Sequence, residues 1–237
     1  LTAVKLPDSV TTIRFEAFKN CVKLKKINYP LSLASVPTHN GYYDGPNYQG
    51  QIFEGCTSLK KIVVPEGVEK IPDCAFSYCT YLEEIVIPST VKTIGNYAFF
   101  GCTGLKTVTM AEGVETIGTE AFNGCTSIKT ITLPESLKAI GNHAFYNCTA
   151  LTAIEIPGGV TRISDSAFEN CTALETVVLN EGTTAIGSYT FKNCKAMTGL
   201  TLPDGLLDIG RNAFEGCVAL TAVKLPDSVT TIRFEAF

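Results

Sequence analysis

The sequence predicts a repeat solenoid, and three observations carry that prediction. One pattern returns every 23 residues, ten of the 13 phenylalanines fall at one position of it, and nine of the ten cysteines fall at another. A chain that restates one unit along its length is read as stacked coils, each of which buries its apolar side against its neighbours.

The unit is clearest at Leu105 to Ser127, LKTVTMAEGVETIGTEAFNGCTS. Apolar or small residues stand at Leu105, Val108, Met110, Val114, Ile117, Ala121, Phe122 and Cys125, and the positions between them vary from copy to copy. The opening L-x-x-I-x-L step alternates with period two, so it reads as a short strand with Val108 and Met110 turned inward. Val114 and Ile117 line the returning side. The Gly-x-x-Ala-Phe step is too short for a full helix and reads as one helical or 3₁₀ turn. Cys125 closes the coil after Gly124. One coil alone cannot offset the entropy of ordering its backbone, so stability has to come from stacking.

The repeats run 1–23, 24–58, 59–81, 82–104, 105–127, 128–150, 151–173, 174–196 and 197–219, with a truncated copy at 220–237, all within a single solenoid domain, 1–237. The phenylalanine column, from Phe18 through Phe53, Phe76, Phe99 and on to Phe237, reads as a stacked aromatic spine. Proline follows the strand at Pro7, Pro30, Pro65, Pro88, Pro134, Pro157, Pro203 and Pro226, where it ends ladder pairing. Gly or Asn precedes the column cysteine in eight of nine coils, Tyr78 being the exception. That preference implies a left-handed backbone at the corner.

Composition bounds the function. With 19 basic against 23 acidic residues and a net charge of −4, the chain has no basic footprint for nucleic acid or anionic membranes. No apolar run is long enough to span a bilayer. The chain starts at Leu1, in mid-pattern, without an initiator Met or a signal sequence, and reads as a segment of something longer.

The motif L-x-x-I-x-L-P-x-x-V-x-x-I-G-x-x-A-F-x-x-C resembles the BspA-like leucine-rich repeats, also called the Treponema-type class. The resemblance covers essentially the whole chain. It implies a right-handed arc with a parallel sheet on the concave face and short β, 3₁₀ or helical turns on the convex face. It also implies a cell-surface or secreted setting, and adhesion to host matrix proteins as reported for some members. A repeat scaffold fixes architecture and leaves the ligand open.

Nine cysteines form the column: Cys21, Cys56, Cys79, Cys102, Cys125, Cys148, Cys171, Cys194 and Cys217. They read as buried thiols whose S–H groups satisfy loop carbonyls. Cys74 lies off the column and is expected to face solvent, as the one reactive thiol. No Cys-x-x-Cys occurs and no histidine partners Cys74 and Cys79, so neither a metal nor a cofactor is expected. Catalysis finds no support. His39 and His143 are the only histidines, and Glu83 and Glu84, adjacent in a strand, are expected on opposite faces. The sequons at Asn147 and Asn170 arise from the corner pattern itself.

Two variable features are candidate partner-binding surfaces. On the solvent side of the strands, Lys25, Lys26, Lys60 and Lys61 form a basic end and Glu83 and Glu84 an acidic stripe. Lys106 and Lys129 follow, then a row of Thr107, Thr130, Thr152, Thr176, Thr198 and Thr221. This is either a set of gatekeepers that keep a broad sheet soluble or a docking surface for protein. The second feature is an insertion of 12 residues in repeat two, at about 37–51, with Tyr42, Tyr43 and Tyr48 beside His39 and Asp44. Tyrosine among Gly and Asn is favoured at binding surfaces, and an insertion tolerated at a solenoid edge is the plainer reading.

Residues 1–18, LTAVKLPDSVTTIRFEAF, recur without change as residues 220–237. This points to a super-repeat of 219 residues or to end-to-end association. The sequence as a whole reads as a non-enzymatic protein-binding or adhesion module, with a structural, self-assembling array as the alternative.

Overall fold

The computed structural model describes residues 1–33 and 52–237. They form a parallel-strand β-solenoid, with no helix among the described residues. The 23-residue period sets the register. Ile85 pairs with Val108 on one side of the coils, and Ile94 with Ile117 on another.

The L-x-x-I-x-L step forms the first ladder. Strands Lys61–Val63, Glu84–Ile87 and Thr107–Met110 make one parallel sheet, and Ala153–Ile156, Thr176–Leu179 and Gly199–Thr201 make a second. Alternate residues, such as Ile85 and Ile87, turn into the core. Two coils lack proline after the strand. There the Ala111 and Asn180 amides donate to Ile87 and Ile156 of the preceding coil, bonds that proline removes elsewhere.

The returning side is a second ladder in its own right. Two-residue strands from Lys70–Ile71 to Thr231–Ile232 pair in one unbroken eight-stranded sheet, and Ile117 and its equivalents are its inward members.

The Ala-Phe step departs from the expected helical or 3₁₀ turn. Within it, amides alternate between two destinations. The Ala75, Ser77 and Cys79 amides donate back within their own coil, to Pro72, Cys74 and Phe76. The Cys74, Phe76 and Tyr78 amides donate to Asn96, Ala98 and Phe100 of the next coil. The turn is thus a third ladder, and this alternation satisfies its backbone donors.

Two columns of left-handed residues make the alternation possible. The corner before each cysteine has positive φ, from Asn20 at 57° through Gly124 at 74° to Gly216 at 76°, and Tyr78 adopts it too at 58°. The second column, just before the alanine, includes Glu16, Cys74, Tyr97, Glu120, His143, Ser166, Tyr189, Asn212 and Glu235, all with φ between 50° and 60°.

The core follows the columns. Phe76, Phe99, Phe122, Phe145, Phe168, Phe191, Phe214 and Phe237 stack at 5.1 to 5.5 Å with interplanar angles of 14° or less. Each column cysteine from Cys102 to Cys217 donates its S–H to the phenylalanine carbonyl 26 residues earlier, at 3.0 to 3.3 Å. Thr183 and Thr190 stand where other coils have apolar residues. They are buried, and their hydroxyls donate to Val160, Ser164 and Gly187 carbonyls, which offsets the cost of burying them.

Candidate functional site

Outside these ladders, the surface that changes most along the solenoid is the solvent side of the strands, where side chains form three columns. Lys60, Glu83, Lys106, Lys129, Thr152 and Glu175 make the first. Lys61, Glu84, Thr107, Thr130, Ala153, Thr176 and Gly199 make the second, and Val63, Val86, Thr109, Thr132, Glu155, Val178 and Thr201 the third. The expected threonine row therefore splits between two columns, Thr107, Thr130 and Thr176 in one and Thr152, Thr198 and Thr221 in its neighbour.

Glu83 and Glu84 correct another expectation. Both reach solvent, because the strand begins at Glu84 and Glu83 sits before it, outside the alternation. Lys60 and Lys106 bracket Glu83 at 2.7 and 3.3 Å, and Lys61 pairs with Glu84 at 2.6 Å. The two lysine hydrogen bonds hold the Glu83 carboxyl below its ordinary pKa. The basic end and the acidic stripe thus interlock as neighbouring rows. Lys25 and Lys26 are exposed, and among the described residues neither has a carboxylate within 4 Å.

Beyond this charged part the outward side chains shorten. Thr130, Thr132, Ala153, Thr176 and Val178, with Glu155, surround a hollow of about 340 Å³. Here the first ladder is interrupted, because residues 128–133 belong to no strand and lie between the two three-stranded sheets. Val108, Ile131 and Leu133 keep 7 to 8% exposure, against 0 to 3% for Ile85, Ile154 and Val177. The sequence holds no mark of this opening, since Ile131 and Leu133 match the pattern of every other coil.

Cys74 is a second correction. It is 1% exposed, and burial pushes its thiol up to about 12, so it is not the solvent-facing reactive group that its place off the column implied. Its position is half-buried where the long side chains of Tyr97, Glu120 and His143 stand, and buried where the shorter Cys74, Ser166 and Asn212 do. Burial likewise raises the column thiols, Cys56 and Cys217 to about 11 and Cys148 to about 12. Cys21 is the one cysteine only partly buried. His143 packs its ring 5.4 Å from Tyr146. Asn170, at one of the sequons, accepts a hydrogen bond from the Asn193 amide at 2.9 Å and so belongs to the corner ladder.

Tyr42, Tyr43, Tyr48, His39 and Asp44 lie outside the described residues. Among the described residues no three His, Cys, Asp or Glu side chains come together to hold a metal, and no helix is long and apolar enough to cross a membrane.

Parallel strands at a 23-residue step, an aromatic spine and a cysteine corner define a leucine-rich-repeat solenoid. The BspA type leucine rich repeat region matches residues 1–40, 48–175 and 162–237, in six copies, and the chain belongs to that family. No curated protein matches it. A leucine-rich repeat protein of T. pallidum is 32% identical over 68% of this chain and 77% of its own, with a TM-score of 0.64. One from Eubacterium ventriosum is 24% identical over 97% and 80%, with a TM-score of 0.63. The pneumococcal vaccine antigen PcpA is 23% identical over 97% of this chain and 57% of its own, with a TM-score of 0.50. These matches are to repeat proteins and indicate no catalytic family.

Proposed function

We propose that the chain is a non-enzymatic protein-binding module, presented at a cell surface or secreted, that takes its partner on the solvent side of the strands. The carrying observation is the hollow over Thr130, Thr132, Ala153 and Thr176, where the outward columns shorten beside the charged rows of Lys60, Glu83 and Lys106. Short side chains leave concave space that the apolar Ile131, Leu133 and Ile154 also line, and the lysine rows give a partner a polar rim. Membership of a bacterial repeat family and the name of PcpA as a vaccine antigen support the surface setting of this reading.

The test is binding to a panel of immobilised host matrix proteins, comparing the natural chain with Ala153→Arg and Thr176→Arg. Both substitutions fill the hollow without touching the core. Capture that both variants lose supports the strand face. Capture that survives them but fails when Tyr42, Tyr43 and Tyr48 become Ser assigns binding to the insertion, and no capture by the natural chain overturns the adhesion reading.

A further inference from the structure

The turn side, which carries the third ladder, holds a second surface, independent of the strand face. Its outward residues fall in two columns. One is the second left-handed column, with Tyr97, Glu120 and Tyr189, and the other lies three residues later, with Phe100, Asn123 and Lys192. In the left-handed column each backbone amide donates to the next coil: Tyr97 to Thr119, Glu120 to Asn142 and Tyr189 to Arg211. The side chains therefore stand one coil step apart, the step that separates Phe99 from Phe122 by 5.1 Å.

At Tyr189 the chain supplies cations to the ring. Lys192 Nζ lies 5.2 Å from the ring centroid and the Arg211 guanidinium 5.9 Å, both within reach of a cation–π contact. Carboxylates on this side are paired as well, Glu215 with Lys192 at 2.7 Å and Glu54 with Lys19 at 3.1 Å.

Around Tyr97 the same positions are filled differently. Phe100 stands where Lys192 does, Thr119 where Arg211 does and Glu120 where Asn212 does. The half-buried rings meet at steep angles, Tyr97 and Phe100 at 5.9 Å and 58°, Phe100 and Tyr78 at 5.3 Å and 71°, so they form a corner and not a flat stack. Gly101 makes room for it, since a Cβ there would lie 2.8 Å from the Tyr78 ring. Beside the rings, the Glu120 carboxylate accepts from the Asn123 side chain at 2.9 Å and, among the described residues, has no basic group within 4 Å. Burial first, and then the Glu120 charge, raise the pKa of the Tyr97 and Tyr78 hydroxyls, so its field reaches both rings.

We infer that the corner of Tyr97, Phe100 and Glu120 takes the guanidinium of an arginine side chain from a partner protein. A guanidinium stacks on an aromatic face while it donates to a carboxylate, and it is less strongly hydrated than an ammonium, so arginine fits better than lysine. The partner supplies at Tyr97 what Arg211 supplies at Tyr189. Ladder bonds hold the backbone under Tyr97 and Glu120 before the partner arrives, which keeps the ordering cost of binding small.

Fluorescence anisotropy of a labelled hexa-arginine peptide, titrated with the whole chain, tests this, with hexalysine for comparison. The natural chain is expected to bind hexa-arginine more tightly than hexalysine. Tyr97→Leu is expected to weaken hexa-arginine about two- to fivefold, the range for an exposed ring and cation. Glu120→Gln is expected to weaken it similarly at low salt and little at high salt. Thr119→Arg provides the cation from within the chain, as Arg211 does, so it is expected to weaken the peptide at least about fivefold while the melting temperature holds or rises. Hexa-arginine that does not bind, that binds no better than hexalysine, or that binds all three variants as it binds the natural chain overturns the inference. Thermal melts confirm that each variant is folded.

Discussion

The two sides of each coil obey different rules. On the returning side eight strands pair without a break, and beside them rings stack from Phe76 to Phe237 within 5.5 Å of one another. On the strand side the ladder stops at 128–133 and resumes a coil later. The first side repeats its residues because each packs against its own equivalent, so a change in one coil is felt by two neighbours. The second tolerates Lys, Glu, Thr, Ala and Gly in succession because its outward side chains meet mainly solvent. What is free to vary is also what can be specific.

The contrast breaks most visibly at Phe122, which is fully buried between Phe99 and Phe145. Phe122→Ala is expected to cost about 3–5 kcal/mol by urea denaturation, the usual range for an aromatic deleted from a core. Thr109→Ala, exposed on the strand side of the same coil, should stay within about 0.5 kcal/mol. Comparable losses at both positions would erase the distinction between the two sides.

Glycines sharpen it. A Cβ at Gly141 would lie 2.5 Å from the Thr119 amide nitrogen and 2.6 Å from the Gly118 carbonyl carbon, backbone that cannot yield without opening the coil stack. Gly205, in the turn after a strand, has nothing within 4 Å of its would-be Cβ. Gly141→Ala is expected to lose about 1–3 kcal/mol, as overpacking does, and Gly205→Ala to be neutral or slightly stabilising. Thermal melts of the pair decide it.

The cysteine column makes the closed side sensitive to alkali. Burial keeps Cys148 protonated to about 12 and Cys56 and Cys217 to about 11, whereas an unfolded thiol ionises near 9. Above that value the unfolded chain gives up protons that the native one retains, so stability falls as pH rises from about 9 toward 11 to 12. Each such thiol contributes up to about 1.4 kcal/mol per pH unit, and Cys148→Ala should flatten the slope of the urea midpoint against pH by one thiol's share. An unchanged slope would mean that the column is wetter than its geometry implies.

Most of this architecture was legible in the sequence because its cause is periodic. The spine, the cysteine corner and the proline stops each recur as a residue type, and the Gly/Asn preference announces the left-handed corner that even Tyr78 adopts. The second left-handed column could not be read, because its residues are as unlike as Glu16, Cys74, Tyr97 and His143. Their conformation comes from outside the residue. The Tyr97 amide donates to Thr119 and that of His143 to Asp165, so the next coil holds the backbone whatever the side chain. The same reliance on neighbours hid the burial of Cys74 and the two-destination turn, while Glu83 misled because one residue decides where strand alternation starts. The candidate site was legible as a variable face, and its hollow was not, since the opening at 128–133 belongs to how coils stack.

That opening predicts a local difference in protection. Amides of residues 130–133 should exchange with solvent at least about tenfold faster than those of 107–110 and 153–156, a gap of ~1.4 kcal/mol in opening free energy. Hydrogen exchange on the natural chain measures it, and uniform protection across the three segments would close the ladder and remove the reason for placing a hollow there.

The smallest effect belongs to the charged rows. Lys60 and Lys106 lower the pKa of Glu83, so whatever stability the trio contributes is present above the ordinary carboxylate value and is lost as pH falls through the lowered one. All three side chains are solvated, and exposed pairs are screened by salt, so Glu83→Gln should leave the melt nearly unchanged. Its consequence should instead be felt in binding. Removing the carboxylate that interlocks the rows leaves Lys60 and Lys106 as neighbouring positive charges, which raises the on-rate for an acidic partner at low salt and lowers it for a basic one. A rate unaffected by Glu83→Gln for every captured protein would place the contact farther along the strand face, over the short side chains of Thr130, Ala153 and Thr176.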